Sequence, residues 1–276
     1  MKTYLNKVFN TTERVHYFDE LPLWSAPFGL KLLAAIAYKR GITALDIGFG
    51  TGFPLVELAM RLDEQSIVYG IDPWKEAIDR ASRKAEYYQI SNIRIIEGVA
   101  ESIPLADTTV DLIVSNNGIN NVNDLDRVLS ECARIAKPGA QFVLSMNLNK
   151  SMFEFYDQLE QVLKQLGLEN EIALMYEHIY QWRRPLAEMK ERLEQHGFEI
   201  KHIAEDEFQY RFTDATTMFN HGFIGFAFLP SWKSFLPSER HEEIFDLVES
   251  RLNTRAQAEG GLTLSIPFVV MDVRRK

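Results

Sequence analysis

The glycine-punctuated stretch Ala44-Leu45-Asp46-Ile47-Gly48-Phe49-Gly50-Thr51-Gly52-Phe53-Pro54 most constrains what this chain can fold into. Residues 42–47 are apolar and rich in β-branched side chains, which reads as a buried strand. Three glycines then mark a tight loop. Pro54 opens a helical pattern that runs on to Met60. Strand, glycine loop and helix together are the form of a nucleotide-type cofactor site, because backbone without a Cβ lets a ligand come close. A plain strand-to-helix turn can carry the same glycines, so the rest of the chain has to decide.

Further strands are expected at 66–72, 93–97, 110–115 and 141–146, and helices at 28–40, 73–88 and 124–137. That alternation means a parallel sheet with helices on both faces, a doubly wound α/β architecture. Beyond the fifth strand the rhythm stops. Residues 149–183 and 214–258 read as helical, 185–196 as an amphipathic helix, 198–212 as containing a strand, and 262–273 as a last strand. Residues 1–27 are aromatic-rich and broken by Pro22 and Pro27, and read either as an arm packed on the core or as a lid. The 276 residues are taken as one domain.

Charge and cysteine content exclude some classes. A net charge of −9 argues against a nucleic-acid partner, which needs clustered Lys and Arg. The one cysteine, Cys132, lies on the apolar face of its helix and permits no intrachain disulfide. The first ten residues lack the apolar run of a signal peptide, and no window has the length of a membrane span. A cytoplasmic location with no membrane partner is therefore expected. None of the six histidines shows metal-ligand spacing, so no metal is expected.

Asp72 ends the second strand, at the distance from the glycine loop where dinucleotide-type folds place an acid for ribose hydroxyls. Followed by Pro73, it also reads as a helix N-cap, and both roles can hold together. A nicotinamide fold would prefer Gly-x-Gly-x-x-Gly to wrap a pyrophosphate; this loop is Gly-x-Gly-x-Gly.

Five segments in order carry a closer resemblance: Asp46-Ile47-Gly48-Phe49-Gly50-Thr51-Gly52, Gly70-Ile71-Asp72, 98–105, 110–115 and Arg134-Ile135-Ala136-Lys137-Pro138-Gly139. Over about residues 30–148 the chain resembles the class I S-adenosylmethionine-dependent methyltransferases, nearest the ubiquinone/menaquinone-type small-molecule branch. The resemblance implies a Rossmann-like, seven-stranded sheet, mostly parallel with one antiparallel strand. It implies S-adenosyl-L-methionine as cofactor, held by Asp46, Gly48, Phe49, Gly50, Thr51, Gly52, Asp72, Pro73, Trp74, Val99, Ala100, Glu101, Asn116 and Asn117. The family often has an acid where this chain has Val99. The Ala100 backbone or the Glu101 side chain then serves the adenine.

Methyl transfer from a sulfonium is an in-line displacement, accelerated mainly by positioning, so no strong catalytic motif is required. Ligands bind at the carboxyl ends of strands in open α/β sheets. That selects Asn116 and Asn117 as candidate catalytic residues, with Asn120 and Asn121 read as turn formers. The inserts 149–183 and 214–258, with the arm 1–27, are expected to form a helical cap over a small-molecule acceptor. Within them His178 and His221 are the further catalytic candidates. Tyr17, Trp24, Tyr176, Tyr180, Phe219 and Phe223 are the acceptor-pocket candidates, although any one of these aromatics is more often plain core. A monomer or homodimer is expected. The competing readings are methylation of protein or RNA, and a non-catalytic cofactor-binding or interaction protein on the same fold.

Overall fold

In the computed structural model residues 2–6, 15 and 24–276 are described. The strands are β1 (Thr43–Ile47), β2 (Ile67–Asp72), β3 (Ile93–Glu97), β4 (Val110–Asn116), β5 (Ala136–Asn147), β6 (Phe198–Phe212) and β7 (Leu262–Arg275). The helices are α1 (Ala26–Ala34), α2 (Leu55–Arg61), α3 (Lys75–Tyr87), α4 (Leu125–Ile135), α5 (Phe153–Gln165), α6 (Glu169–Trp182), α7 (Leu186–Gln195), α8 (Ala215–Asn220), α9 (Leu229–Ser234) and α10 (His241–Glu259). One turn of π-helix, Ile224–Phe228, precedes α9.

The strands form a single seven-stranded sheet in the order β3-β2-β1-β4-β5-β7-β6, the Rossmann-like arrangement. β1 to β5 pair in parallel, and β7 runs antiparallel to β5. The chain builds outward from β1 through β2 to β3, then returns to place β4 on the other side of β1. The strand order therefore reverses between β1 and β4, and the loops leaving those two strands flank the crevice where open α/β sheets bind ligands. Asp46 sits in the middle of this seam, in register with Gly70 on β2 and Val114 on β4.

Packing explains why these segments form these elements. β1 and β4 are buried along nearly their whole length, as strands covered on both faces must be. On α4 the residues Val128, Leu129, Cys132 and Ile135 are fully buried at helical spacing, and Asp124 caps the helix by accepting the Arg127 amide. Three boundaries differ from the sequence expectation. α1 ends at Ala34, short of Arg40, because the Gln141 side chain accepts the Ala37 amide and donates to the Ala35 carbonyl. The helix expected to reach Lys137 stops at Ile135, and the Lys137-Pro138-Gly139 turn lies inside β5, where the β4–β5 register shifts. The helical stretch expected over 149–183 is two helices, divided at Gly167, whose φ of +70° closes α5.

The chain divides into two compact units. One holds the described residues of 22–147 with Arg184–Asp206 and Phe268–Lys276. The other holds Leu148–Arg183, Glu207–Pro267 and the described residues 2–6 and 15. This second, helical unit has its own aromatic core: Phe155 stacks on Trp232 with centroids 3.9 Å apart, and Tyr4 stacks on Phe219 at 5.0 Å. Beside that core, the buried Glu249 on α10 accepts from Lys2 Nζ (2.8 Å), Tyr4 Oη (2.6 Å) and Thr216 Oγ1 (2.5 Å). Burial pushes this carboxyl up, but the three donors outweigh it and hold it below the usual carboxylate range. No described helix is long and apolar enough to cross a membrane.

Because its folded pKa lies below the unfolded one, Glu249 contributes stability above the unfolded pKa and loses it as pH falls. Glu249→Ala, which removes three charge-assisted partners, is expected to cost about 2–4 kcal/mol at neutral pH. Thermal melts of both proteins from pH 7 down to pH 3 check this: the gap should narrow as the solution is acidified.

Candidate active site

The crevice is built by two loops that touch backbone to backbone. Gly48 leaves β1 with φ +74°, and a Cβ on it would lie 2.7 Å from the Gly118 Cα. A Cβ on Gly118 would meet the Ile47 carbonyl oxygen at 2.2 Å. Neither position accepts a side chain without moving main chain. Ser115 fastens the same seam, donating to the Ile47 carbonyl at 3.0 Å and accepting the Ile119 amide at 3.0 Å.

Asp72 ties the glycine loop to β2. Its Oδ2 accepts the Gly50 amide at 2.8 Å and its Oδ1 accepts the Trp74 amide at 2.9 Å. Both amides favour the charged form, but burial outweighs them and raises this carboxyl. Asp72 is thus the anchor of the loop and the start of the following helix. Thr51 presents its carbonyl to Lys84 Nζ at 3.0 Å. Phe49 is buried beneath β2, where a Cβ on Gly70 would come within 2.7 Å of its ring, so its side chain serves the core. Gly50 has open space on the side where a Cβ would stand, and Gly52 lies close against Val56 and Ala81.

Asp46 is the anomaly. It is fully buried, and neither carboxyl oxygen has a hydrogen-bond partner. Burial first, and then the nearby Asp72 charge, push it well above the usual carboxylate range, against the Leu55 amide, which favours the charged form. A buried acid with no full hydrogen bond is costly, and its placement under a ligand-type loop supplies a reason for it.

The remaining candidates separate. Asn116 is already committed: it accepts from Ser145 Oγ at 2.7 Å and donates to the Ser25 carbonyl at 3.1 Å, which ties the start of α1 to the end of β4. Asn117 adopts φ +60°, and its Oδ1 accepts the Asn147 amide (3.1 Å) and Asn120 Nδ2 (3.0 Å). These bonds fix its amide orientation and leave Nδ2 buried with no acceptor. Asn120, expected only to form a turn, also donates to Asn147 Oδ1 at 2.9 Å. Glu101 accepts the Asn123 and Asp124 amides, so its carboxyl caps a loop. Ala100 is buried, and Val99 and Pro73 are exposed. Trp74 is half-buried, and Trp24 lies 5.8 Å from Phe28.

Among the acceptor-pocket candidates, Tyr176 and Tyr180 lie exposed on α6, where Tyr176 donates to Glu160. Phe219 and Phe223 are buried in the helical unit. Tyr17 falls outside the described residues. His178 packs against Phe235 at 5.0 Å; burial and the Arg183 charge press its pKa down to about 4, so it is neutral at pH 7. His221 is also lowered by burial, and its Nδ1 has no partner. Sequence reasoning passed over Gly118, Ser145 and Asn147. Only their contacts across the sheet give them a role.

A reversed strand order with a glycine loop and a strand-end acid defines a nucleotide-type cofactor domain. Residues 45–144 match the family described as methyltransferase domain. Over these residues the chain is therefore similar to a methyltransferase domain. Over 125 residues the chain is 36% identical to a demethylmenaquinone methyltransferase of Bacillus licheniformis, which covers 45% of this chain and 53% of that protein. A second one, from Geobacillus, is 34% identical over 105 residues, covering 38% and 45%. The chain thus spans about half the length of the curated relatives it matches. Among solved structures, the YcgJ protein of Bacillus subtilis superposes with a TM-score of 0.61 at 17% identity, covering 91% of this chain and 98% of that one. A geranyl diphosphate C-methyltransferase from Streptomyces coelicolor, solved with S-adenosyl-L-homocysteine, gives 0.56 at 15%, covering 100% and 88%. At these identities the structural likeness shows the fold.

Two outcomes follow from this geometry. Gly118→Ala forces main chain apart at the seam and is expected to cost about 1–3 kcal/mol, read as a lower melting temperature. Asp46 binds its proton more tightly folded than unfolded, so its effect on stability worsens as pH rises from the unfolded pKa through the folded one. Asp46→Asn should therefore melt higher than the parent at pH 8 without ligand, and the difference should shrink towards pH 4.

Proposed function

We propose that this chain transfers the methyl group of S-adenosyl-L-methionine to a small-molecule acceptor. The observation that carries the reading is Asp46: a fully buried carboxyl with no full hydrogen bond, two residues before the glycine loop. Its chemistry fits a cationic ligand, and S-adenosylmethionine brings both an ammonium and a sulfonium. The group, when bound, supplies an electrophilic methyl on sulfur. Asp46 and the backbone of Gly48, Gly50 and Thr51 hold the methionine part, and Gly50 has the open side needed for close approach. Asp72 keeps one lone pair on each oxygen beyond its two amide bonds, enough for the ribose hydroxyls. Ala100, Trp74 and Val99 border the adenine.

The chain's own catalytic contribution is positioning. Of the two asparagines, Asn117 has the donor to spare, and its Nδ2 orients a polar acceptor atom. Asn116 is a positioning residue that holds α1 to β4. His178 and His221, both neutral at pH 7, are the groups of the helical unit able to take a proton from a protonated nucleophile. The names of the curated relatives support a small, ring-bearing acceptor over a macromolecule.

Titration calorimetry with S-adenosylmethionine tests the cofactor assignment. Binding should be saturable, and Asp46→Asn should weaken it at least tenfold. Affinity should also rise with pH as Asp46 ionises, since the charged carboxyl is the form that attracts a cation. No detectable binding at high micromolar ligand would sink the reading.

A further inference from the structure

The helical unit contains a buried cation that no described acid neutralises. Arg183 follows α6 and is 3% exposed. No described acid pairs with it, and its Nε has no hydrogen-bond partner. Its Nη1 donates to Tyr156 Oη at 2.9 Å, and the guanidinium lies over the Tyr156 ring, 5.2 Å from the centroid. Trp232 Nε1 donates to the same hydroxyl oxygen at 3.0 Å.

A hydrogen-bond inventory sharpens the point. Tyr156 Oη already accepts twice, so its own hydrogen is left to donate, and no described acceptor takes it. The cluster therefore has two donors to spare, Arg183 Nε–H and Tyr156 Oη–H, one positive charge, and no acceptor. His178 on α6, whose pKa the Arg183 charge helps to lower, is neutral at pH 7 and supplies no negative charge. The carbonyl end of α6 offsets the charge in part, but a helix terminus does not replace a counter-ion for a buried guanidinium. The side chains packed here are aromatic: Tyr156, Phe155 and Trp232, the last two stacked.

We propose that Arg183 and Tyr156 form the binding site for the carboxylate of a small aromatic or otherwise apolar monoanion. One guanidinium carries one charge, which a carboxylate cancels, whereas a phosphate dianion would leave a buried excess. The planar fork suits a two-oxygen partner, and the aromatic side chains suit an apolar body.

The full-length protein is titrated with benzoate, benzamide and inorganic phosphate while the indole N–H resonance of Trp232, assigned with Trp232→Phe, is followed by NMR. Benzoate should shift that resonance saturably in the millimolar range, phosphate less strongly, and neutral benzamide not at all. Arg183→Met should weaken benzoate at least tenfold. It should also melt no lower than the parent, because it removes a buried charge that has no structural partner. Tyr156→Phe should weaken benzoate severalfold. An absent benzoate response up to about 50 mM, an equal response to benzamide, or a lower melting temperature of Arg183→Met with benzoate binding retained would each overturn the site. S-adenosyl-L-homocysteine binding, measured on the same samples, reads the glycine loop separately. If it binds while benzoate does not, only the carboxylate site fails; if benzoate binds while it does not, only the glycine-loop reading fails.

Discussion

The contact between Gly48 and Gly118 sets the geometry on which the site depends. It brings the loop after β1 against the loop after β4 at the point where the strand order reverses. Main-chain approach this close requires glycine on both sides, and Ser115 locks it with two hydrogen bonds. Everything with chemical potential in the sheet unit hangs from this seam. Asp46 lies within β1 beneath it, Asp72 holds the outer part of the glycine loop, and Asn116 and Asn117 leave β4 beside it.

Two acids with raised pKa values in one small region make the ligand-free domain electrostatically tense. Burial is the first cause for both, and the Asp72 charge adds to that on Asp46. A ligand that brings positive charge relieves this tension, which couples binding to stability and to proton release. The helical unit shows the opposite imbalance. There a buried cation, Arg183, stands without an acid among the described residues.

Much of the sheet unit was legible in the sequence because its signals are local. Strand, glycine loop and helix lie within a few residues of one another, and Asp72 ends an apolar run that can only be a strand. Other features depend on distant partners and leave no local trace. Gln141 shortens α1 from more than one hundred positions away. Asn147 and Ser145 act through asparagines on a neighbouring strand. Asn116 reads as a free polar group in sequence, yet the fold commits both ends of its amide. In the helical unit the aromatics read as a crowd. Tyr176 and Tyr180 differ from Tyr156 only by which side of a helix they occupy, and the exposed pair showed no signal to separate it from the buried residue.

The most direct measurement is the number of protons released when S-adenosylmethionine binds, obtained by calorimetry near neutral pH in two buffers of different ionisation enthalpy. The account predicts net release from the parent protein, because a cation beside Asp46 drives its buried carboxyl to ionise, and less release from Asp46→Asn. Binding with no proton release, or release unchanged by Asp46→Asn, would contradict the assignment of Asp46 as the counter-charge of the cofactor.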